Sequence, residues 1–212
     1  DNSGRIPQRT ARGHWAERLG VAKLYFSYAA MNAGKSTILL QASYNYRERG
    51  MRTLLFTSSL YADVDEGRIS SRIGVSAEAE LFSDSDDLFQ WVALEHENAK
   101  IACVFVDEAQ FLTPAQVWQL ARVADRLNIP VLCYGLRTDF RGALFPGAAE
   151  LLAIADSLRE VRTICHCGAK ATMVLRRDPS GAAATSGEQV AIEKSVYVSL
   201  CRKHWEDEMG RV

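Results

Sequence analysis

The sequence predicts an α/β fold: a mostly parallel sheet with helices on both faces, followed by a small β-rich appendage. Three observations predict it. Residues 23–57 read strand, helix, strand, a βαβ unit whose two strands must run parallel through a right-handed crossover. Residues 100–106 form the most apolar run of the chain, as expected of a central strand buried on both faces. Beyond Leu158 the helical patterns give way to short β-like runs around a stretch rich in Gly, Ser and Ala at 178–187.

The elements follow in order. An apolar, aromatic run at 23–28 is a strand, and the small residues 29–34 form a turn. A helical pattern runs from Lys35 to about Arg49 and stops at Gly50. A second strand spans 52–57. Residues 58–74 are polar and aperiodic, hence a loop. Residues 86–98 are helical, with Asp84 or Ser85 as cap. Thr113 and Pro114 open the next helix as cap residue and first-turn Pro, running to about Leu127. Residues 129–134 are a strand, 135–146 irregular, and 147–155 a short helix. Short strands are expected at 173–176, 190–192 and 196–200. The boundaries are 23–158 for the α/β domain and 159–212 for the β-rich domain, with residues 1–22 a disordered extension outside the fold.

Composition excludes several classes. The 212 residues carry 25 Lys and Arg against 26 Asp and Glu, a net charge of −1, and 48% of them are hydrophobic. A protein that grips nucleic acid through its phosphates needs a basic excess, and none is present. No apolar run approaches the ~20 residues that span a bilayer. The first twenty residues are Arg-rich without an apolar stretch, unlike a secretory signal. Five Cys, an odd number, speak against a disulfide scaffold and for reduced thiols in a cytoplasm.

Ala29, Ala30, Met31, Asn32, Ala33, Gly34, Lys35 and Ser36 match the phosphate loop G-x-x-x-x-G-K-[ST], except that Ala29 replaces the first Gly. Such a loop aims backbone N–H groups at phosphate oxygens. Lys35 would reach the β/γ-phosphates and Ser36 would ligate Mg²⁺. It also needs a carboxylate at the end of a neighbouring strand, which Asp107 supplies after the apolar run 101–106. Glu108 is placed to accept a proton or polarise a nucleophile. The chain is therefore expected to bind a nucleoside triphosphate.

Cys165 and Cys167, then Cys201 and His204, form two paired-ligand units separated by β-like sequence. Three thiolates and an imidazole suit a closed, tetrahedral, structural Zn²⁺ site. His166 could compete for the metal, and a chance grouping of scattered residues is the bland alternative. Cys103 and Cys133 lie in apolar strands and read as core residues. Met31, Leu136, Phe140 and Phe145 have two readings: loop hydrophobics on the core, or an apolar slot for a planar ring beside the phosphate donor. Arg68, Arg72, Arg137 and Arg141 could stabilise transferring phosphate charge or sit on the surface. His96 reads as solvated, and Trp91 and Trp118 as helix-packing residues.

Together these motifs resemble the zinc-containing, type II thymidine kinases, a group with bacterial and cytosolic members. The residues that carry the likeness are 31–37, ending at Thr37, then 107–111, 133–142, 163–168 and 197–204, in the family's order. The resemblance implies a RecA-like phosphate-loop fold and transfer of the ATP γ-phosphoryl to the 5′-hydroxyl of thymidine, with Glu108 as the catalytic carboxylate. It implies ATP and Mg²⁺ contacts along 29–37 and at Asp107 and Gln110. A thymidine pocket would comprise Met31, Phe111, Leu136, Phe140, Phe145 and Tyr197, and zinc would sit on Cys165, Cys167, Cys201 and His204. It further implies a cytoplasmic homotetramer inhibited by thymidine triphosphate, and a loop at 189–197 folding over the base. The sequence departs from the family at 60–67, which lacks an Arg before Arg68, and at 192–197, which lacks a Gly-Gly. A nucleic-acid-stimulated phosphate-loop ATPase with a zinc ribbon is the rival reading, because Asp107, Glu108, Ala109 and Gln110 resemble a helicase box. The balanced charge weighs against it. A switch-type nucleotide-binding module is a third.

Overall fold

A computed structural model describes residues 21–61, 67–189 and 196–210. The elements in chain order are β1 (Leu24–Ala29), α1 (Lys35–Glu48), β2 (Thr53–Ser58), a 3₁₀ turn (Ser59–Tyr61), β3 (Arg68–Ser70), β4 (Ser76–Glu78), β5 (Glu80–Phe82), α2 (Leu88–Asn98), β6 (Cys103–Val106), a second 3₁₀ turn (Ala109–Phe111), α3 (Pro114–Leu127), β7 (Val131–Leu136), α4 (Pro146–Ile154), β8 (Ser157–Glu160), β9 (Thr163–Ile164), β10 (Lys170–Ala171), β11 (Met173–Arg177), β12 (Val196–Leu200) and α5 (Arg202–Met209).

Six strands form one parallel sheet in the order β5-β2-β6-β7-β1-β8. Side chains alternate across it and both faces are covered, so these strands are apolar throughout. Leu54, Phe56, Val104, Val106, Val131 and Cys133 pack with α2, α3 and α4 on one face. Leu55, Cys103, Phe105 and Tyr134 pack on the other with Leu39 and Leu40 of α1 and with Ile69 and Ala77. Cys103 and Cys133 are thus fully buried core thiols on opposite faces, as expected.

The main elements stand where their sequence signals put them. Thr113 caps α3 in a reciprocal capping box with Gln116, and Pro114 occupies the first turn. Asp87, rather than Asp84 or Ser85, caps α2 by accepting from the Gln90 N–H at 3.0 Å. The expected loop at 58–74 holds more structure than its polarity suggests. β3 lies within it and pairs as a hairpin with β4, which starts just beyond it, and β5 after that adds an edge strand to the main sheet. Three-residue strands with single buried positions are too short to show periodicity, which is why the sequence reads as loop.

The division placed near Arg159 falls inside β8, which pairs with β1 in the main sheet. The small lobe starts after it: hairpins β9–β10 and β11–β12, then α5, packed around Leu175, Leu200, Trp205 and Met209. The strand expected at 190–192, most of the loop at 189–197, residues 1–20, and the core of the altered stretch at 60–67 lie outside the described residues. Ala22, expected outside the fold, donates its N–H to Asn128 Oδ1 at 2.9 Å. Trp91 stacks edge-on to Phe56, but Trp118 is about half exposed and donates to Glu150 at 2.7 Å. His96 accepts from the Ile101 N–H at 3.1 Å, so it closes the end of α2 and is more than a solvated residue.

Candidate active site

Three sets of residues converge at the carboxyl ends of β1, β6 and β7, where open α/β sheets hold their ligands. The first is the turn between β1 and α1. Asn32 and Gly34 adopt left-handed backbone angles, φ 62° and 81°. Gly34 is the N-cap of α1 and has no side chain to satisfy the first-turn N–H groups. Those donors point outward with the positive end of the helix dipole behind them, the arrangement an anionic phosphate fits. Lys35 is buried beside them at 8% exposure.

The second set follows β6. Asp107 is buried, and its carboxyl lies well above the usual range because burial penalises its charge and Glu108 repels it. The Ser36 hydroxyl and the Lys35 ammonium partly offset this. The Asp107 carboxyl and the Ser36 hydroxyl that hydrogen-bonds it are hard oxygen donors of the kind a divalent cation takes. Glu108 has φ 52°, a left-handed angle unusual for a non-glycine residue. Gln110 holds it there: its Nε2 donates to Glu108 Oε2 at 2.5 Å while its Oε1 accepts from the Leu136 N–H at 2.9 Å. Gln110, expected beside the cofactor, thus spends both ends of its amide inside the protein.

Close approach fixes that turn from two sides. A Cβ at Gly135 would lie 2.8 Å from Gln110 Oε1 and 2.9 Å from its backbone N. At Gly147 it would lie 2.4 Å from the Leu112 carbonyl oxygen. Backbone cannot yield as a side chain can, so Gly147→Ala is expected to lower stability by about 1–3 kcal/mol and the melting temperature by on the order of 5 °C. Thermal denaturation followed by circular dichroism checks it.

The third set is a cleft partly open to solvent, lined by Met31, Phe111, Leu136, Phe140, Phe145 and Tyr197 with Thr138, Asp139, Val174 and Gln189. Met31, Leu136, Phe140 and Phe145, read either as loop hydrophobics or as an apolar slot, all line it, as do Phe111 and Tyr197, which the resemblance adds. Phe111 and Phe145 meet edge to face at 5.7 Å. The sequence reading missed Thr138, Asp139 and Val174, whereas Gln189 begins the loop at 189–197 that the resemblance folds over the base. Thr138 and Asp139 sit in the same loop as Phe140, but nothing in their spacing marks them. Asp139 is buried, accepts from the Arg141 and Ala143 N–H groups at 2.9 Å, and bonds the Arg141 guanidinium at 3.0 Å. Arg137 donates to the Thr172 carbonyl at 3.3 Å and Arg68 to Ser76 at 2.9 Å, so these loop arginines brace the structure. Arg72 is exposed. Ser199 on β12 donates its hydroxyl to the Met31 carbonyl, tying the small lobe to the phosphate turn.

Cys165, Cys167, Cys201 and His204 offer four ligand atoms within 4.8 Å of one another. His204 Nδ1 is 3.4 Å from Cys165 Sγ and 3.3 Å from Cys201 Sγ, and Cys167 and Cys201 are 4.0 Å apart. Zn–S and Zn–N bonds of about 2.0–2.3 Å set tetrahedral edges of roughly 3.3–3.8 Å, so this soft donor set fits zinc. Burial alone would raise the Cys165 thiol. The N–H groups of Cys167 and Cys201 and the His204 ring outweigh it and hold that thiol down to about 6, which favours the ligating thiolate. His166 stacks on His204 at 4.3 Å between ring centres, outside the set of four.

Fold and site together have the layout of a phosphate-loop α/β enzyme with a Cys₃His cluster able to hold a metal. The family model described as thymidine kinase matches residues 22–205. Among curated proteins, the chain is 69% identical over 191 residues to "Thymidine kinase" of Mesorhizobium japonicum, covering 90% of this chain and 94% of that protein. It is 62% identical to the protein of the same name from Ruegeria pomeroyi, over 90% of this chain and 96% of that one. To that of Agrobacterium fabrum it is 62% identical, over 87% and 96%. The chain belongs to the thymidine kinase family.

Proposed function

We propose that the protein transfers the γ-phosphoryl group of ATP to the 5′-hydroxyl of thymidine, giving thymidine monophosphate. One observation carries this reading: the apolar cleft shares Met31 with the phosphate turn and Phe111 with the turn that holds Glu108. An acceptor lying in the cleft therefore stands between a phosphate cradle and a carboxylate. The cleft's apolar walls suit a small planar base.

The residues divide the work as follows. The backbone N–H groups at 29–37 and the Lys35 ammonium bind the β- and γ-phosphates. Ser36 and Asp107 would hold Mg²⁺, whose charge offsets that of the phosphates. Glu108 accepts the proton of the 5′-hydroxyl as its oxygen attacks phosphorus in line and ADP departs. Such a transfer is mostly positioning and charge neutralisation, so the fixed orientation of Glu108 by Gln110 matters as much as its basicity. The contacts of Gln110 support a role in orienting Glu108 rather than in touching ATP.

By family resemblance we assign the same protein a cytoplasmic homotetramer inhibited by thymidine triphosphate, without nucleic acid as partner. No described helix is long and apolar enough to cross a membrane. Incubation with Mg-ATP and a panel of nucleosides, and separately with single-stranded DNA, tests the function. Thymidine monophosphate is the expected product. DNA-stimulated release of ADP without a phosphorylated nucleoside would support the ATPase reading instead.

A further inference from the structure

Arg176 on β11 is a buried cation, 8% exposed, outside the catalytic machinery described above. Burying a guanidinium costs several kcal/mol unless its donors are satisfied, and a carboxylate is the usual remedy. No ion pair recorded among the described residues includes Arg176. Its fork is spent on backbone instead: Nη1 donates to the Glu188 carbonyl and Nη2 to the Ser186 carbonyl, each at 2.9 Å. Its flat face lies 3.8 Å from the centre of the Phe140 ring, within cation–π contact.

The surroundings are built to receive it. Gly187, between the two accepting carbonyls, has φ 114°, and a Cβ there would lie 2.6 Å from Arg176 Nη2. That backbone angle favours a glycine, and a side chain there would also push the guanidinium aside. Gln189 follows at once, lines the cleft and reaches the Leu144 carbonyl at 3.4 Å. Arg176 pairs across the hairpin with Tyr197, another cleft residue. The ring it covers belongs to the loop after β7, whereas the carbonyls it holds belong to the small lobe.

We propose that Arg176 is a positioning residue for the nucleoside: it clamps the Phe140 ring against the segment carrying Gln189 and so sets the spacing of two cleft walls. The proposal rests on the cleft being the nucleoside site. A guanidinium can stack flat and bridge two carbonyls at once, whereas an ammonium is a point charge that cannot do both. The clamp touches the acceptor's walls and not the phosphate turn, so it acts on one substrate.

Steady-state kinetics of Arg176→Met and Arg176→Lys test this, with the melting temperature of each variant as the control for folding. Arg176→Met is expected to raise the KM for thymidine about tenfold or more while the KM for ATP changes less than twofold. Arg176→Lys, which keeps the charge, is expected to raise it at least threefold. An unchanged thymidine KM in a cooperatively folding variant overturns the proposal, as does an equal rise in both KM values. If Arg176→Met does not fold, Arg176→Lys decides by the same criterion. Wild-type protein that fails to phosphorylate thymidine would instead overturn the reading of the cleft, so the two failures are distinguishable.

Discussion

Glu108→Gln is expected to cut turnover by ~10²-fold or more while ATP binding persists, as loss of a general base does. The substitution is nearly isosteric. The new amide oxygen can still accept from Gln110 Nε2, now 2.5 Å from the carboxylate, so the left-handed turn should survive. What disappears is the ability to take the acceptor proton. The effect should therefore fall on kcat, with both KM values close to wild type. Rapid-quench measurement of thymidine monophosphate formation, alongside a nucleotide-binding titration, checks both halves. Near-normal turnover in this variant would falsify the role of Glu108.

Loss of the metal is expected to be as damaging, but through the fold of the small lobe. Metal analysis should find about one zinc per chain, and Cys201→Ser or strong chelation should remove it. Apparent zinc binding in small knuckles contributes roughly 10–16 kcal/mol, more than this lobe's few buried side chains can replace. Cys201 also begins α5, whose Trp205 donates to the carbonyls of Phe140 and Val174 at 3.1 Å. Zinc loss should thus free α5, loosen Phe140 and raise the KM for thymidine tenfold or more. ATP binding should survive, because the phosphate turn and its sheet belong to the other lobe. Near-ultraviolet circular dichroism and a nucleotide titration of the chelated protein read the two effects separately. A zinc-free variant with wild-type kinetics would show that the metal has no structural role.

Several parts of this architecture were legible in the residues alone. The strands were visible because burial on both sheet faces demands continuous apolar runs, as at 103–106 and 131–136. The phosphate turn was visible because a strand, a Gly-Lys-Ser sequence and a helix must follow one another along the chain. The Cys and His residues that cluster in the small lobe were visible as two short pairs, because a metal knuckle draws its donors from adjacent residues. α5 was not, since only Trp205 and Met209 of its eight residues are buried and so short a helix shows little pattern.

The five Cys illustrate the division. Their number and spacing by themselves separated two core thiols from the three that cluster with His204, because an apolar strand and a paired ligand unit look different in one dimension. Only the tertiary structure decided the rest. It brought residues 31, 111, 140 and 197 to one cleft, set the two ends of the Gln110 amide on Glu108 and on the Leu136 backbone, and laid Arg176 on Phe140. Those contacts join residues far apart in the chain, and no local period or spacing encodes a partner that folding supplies from a different strand.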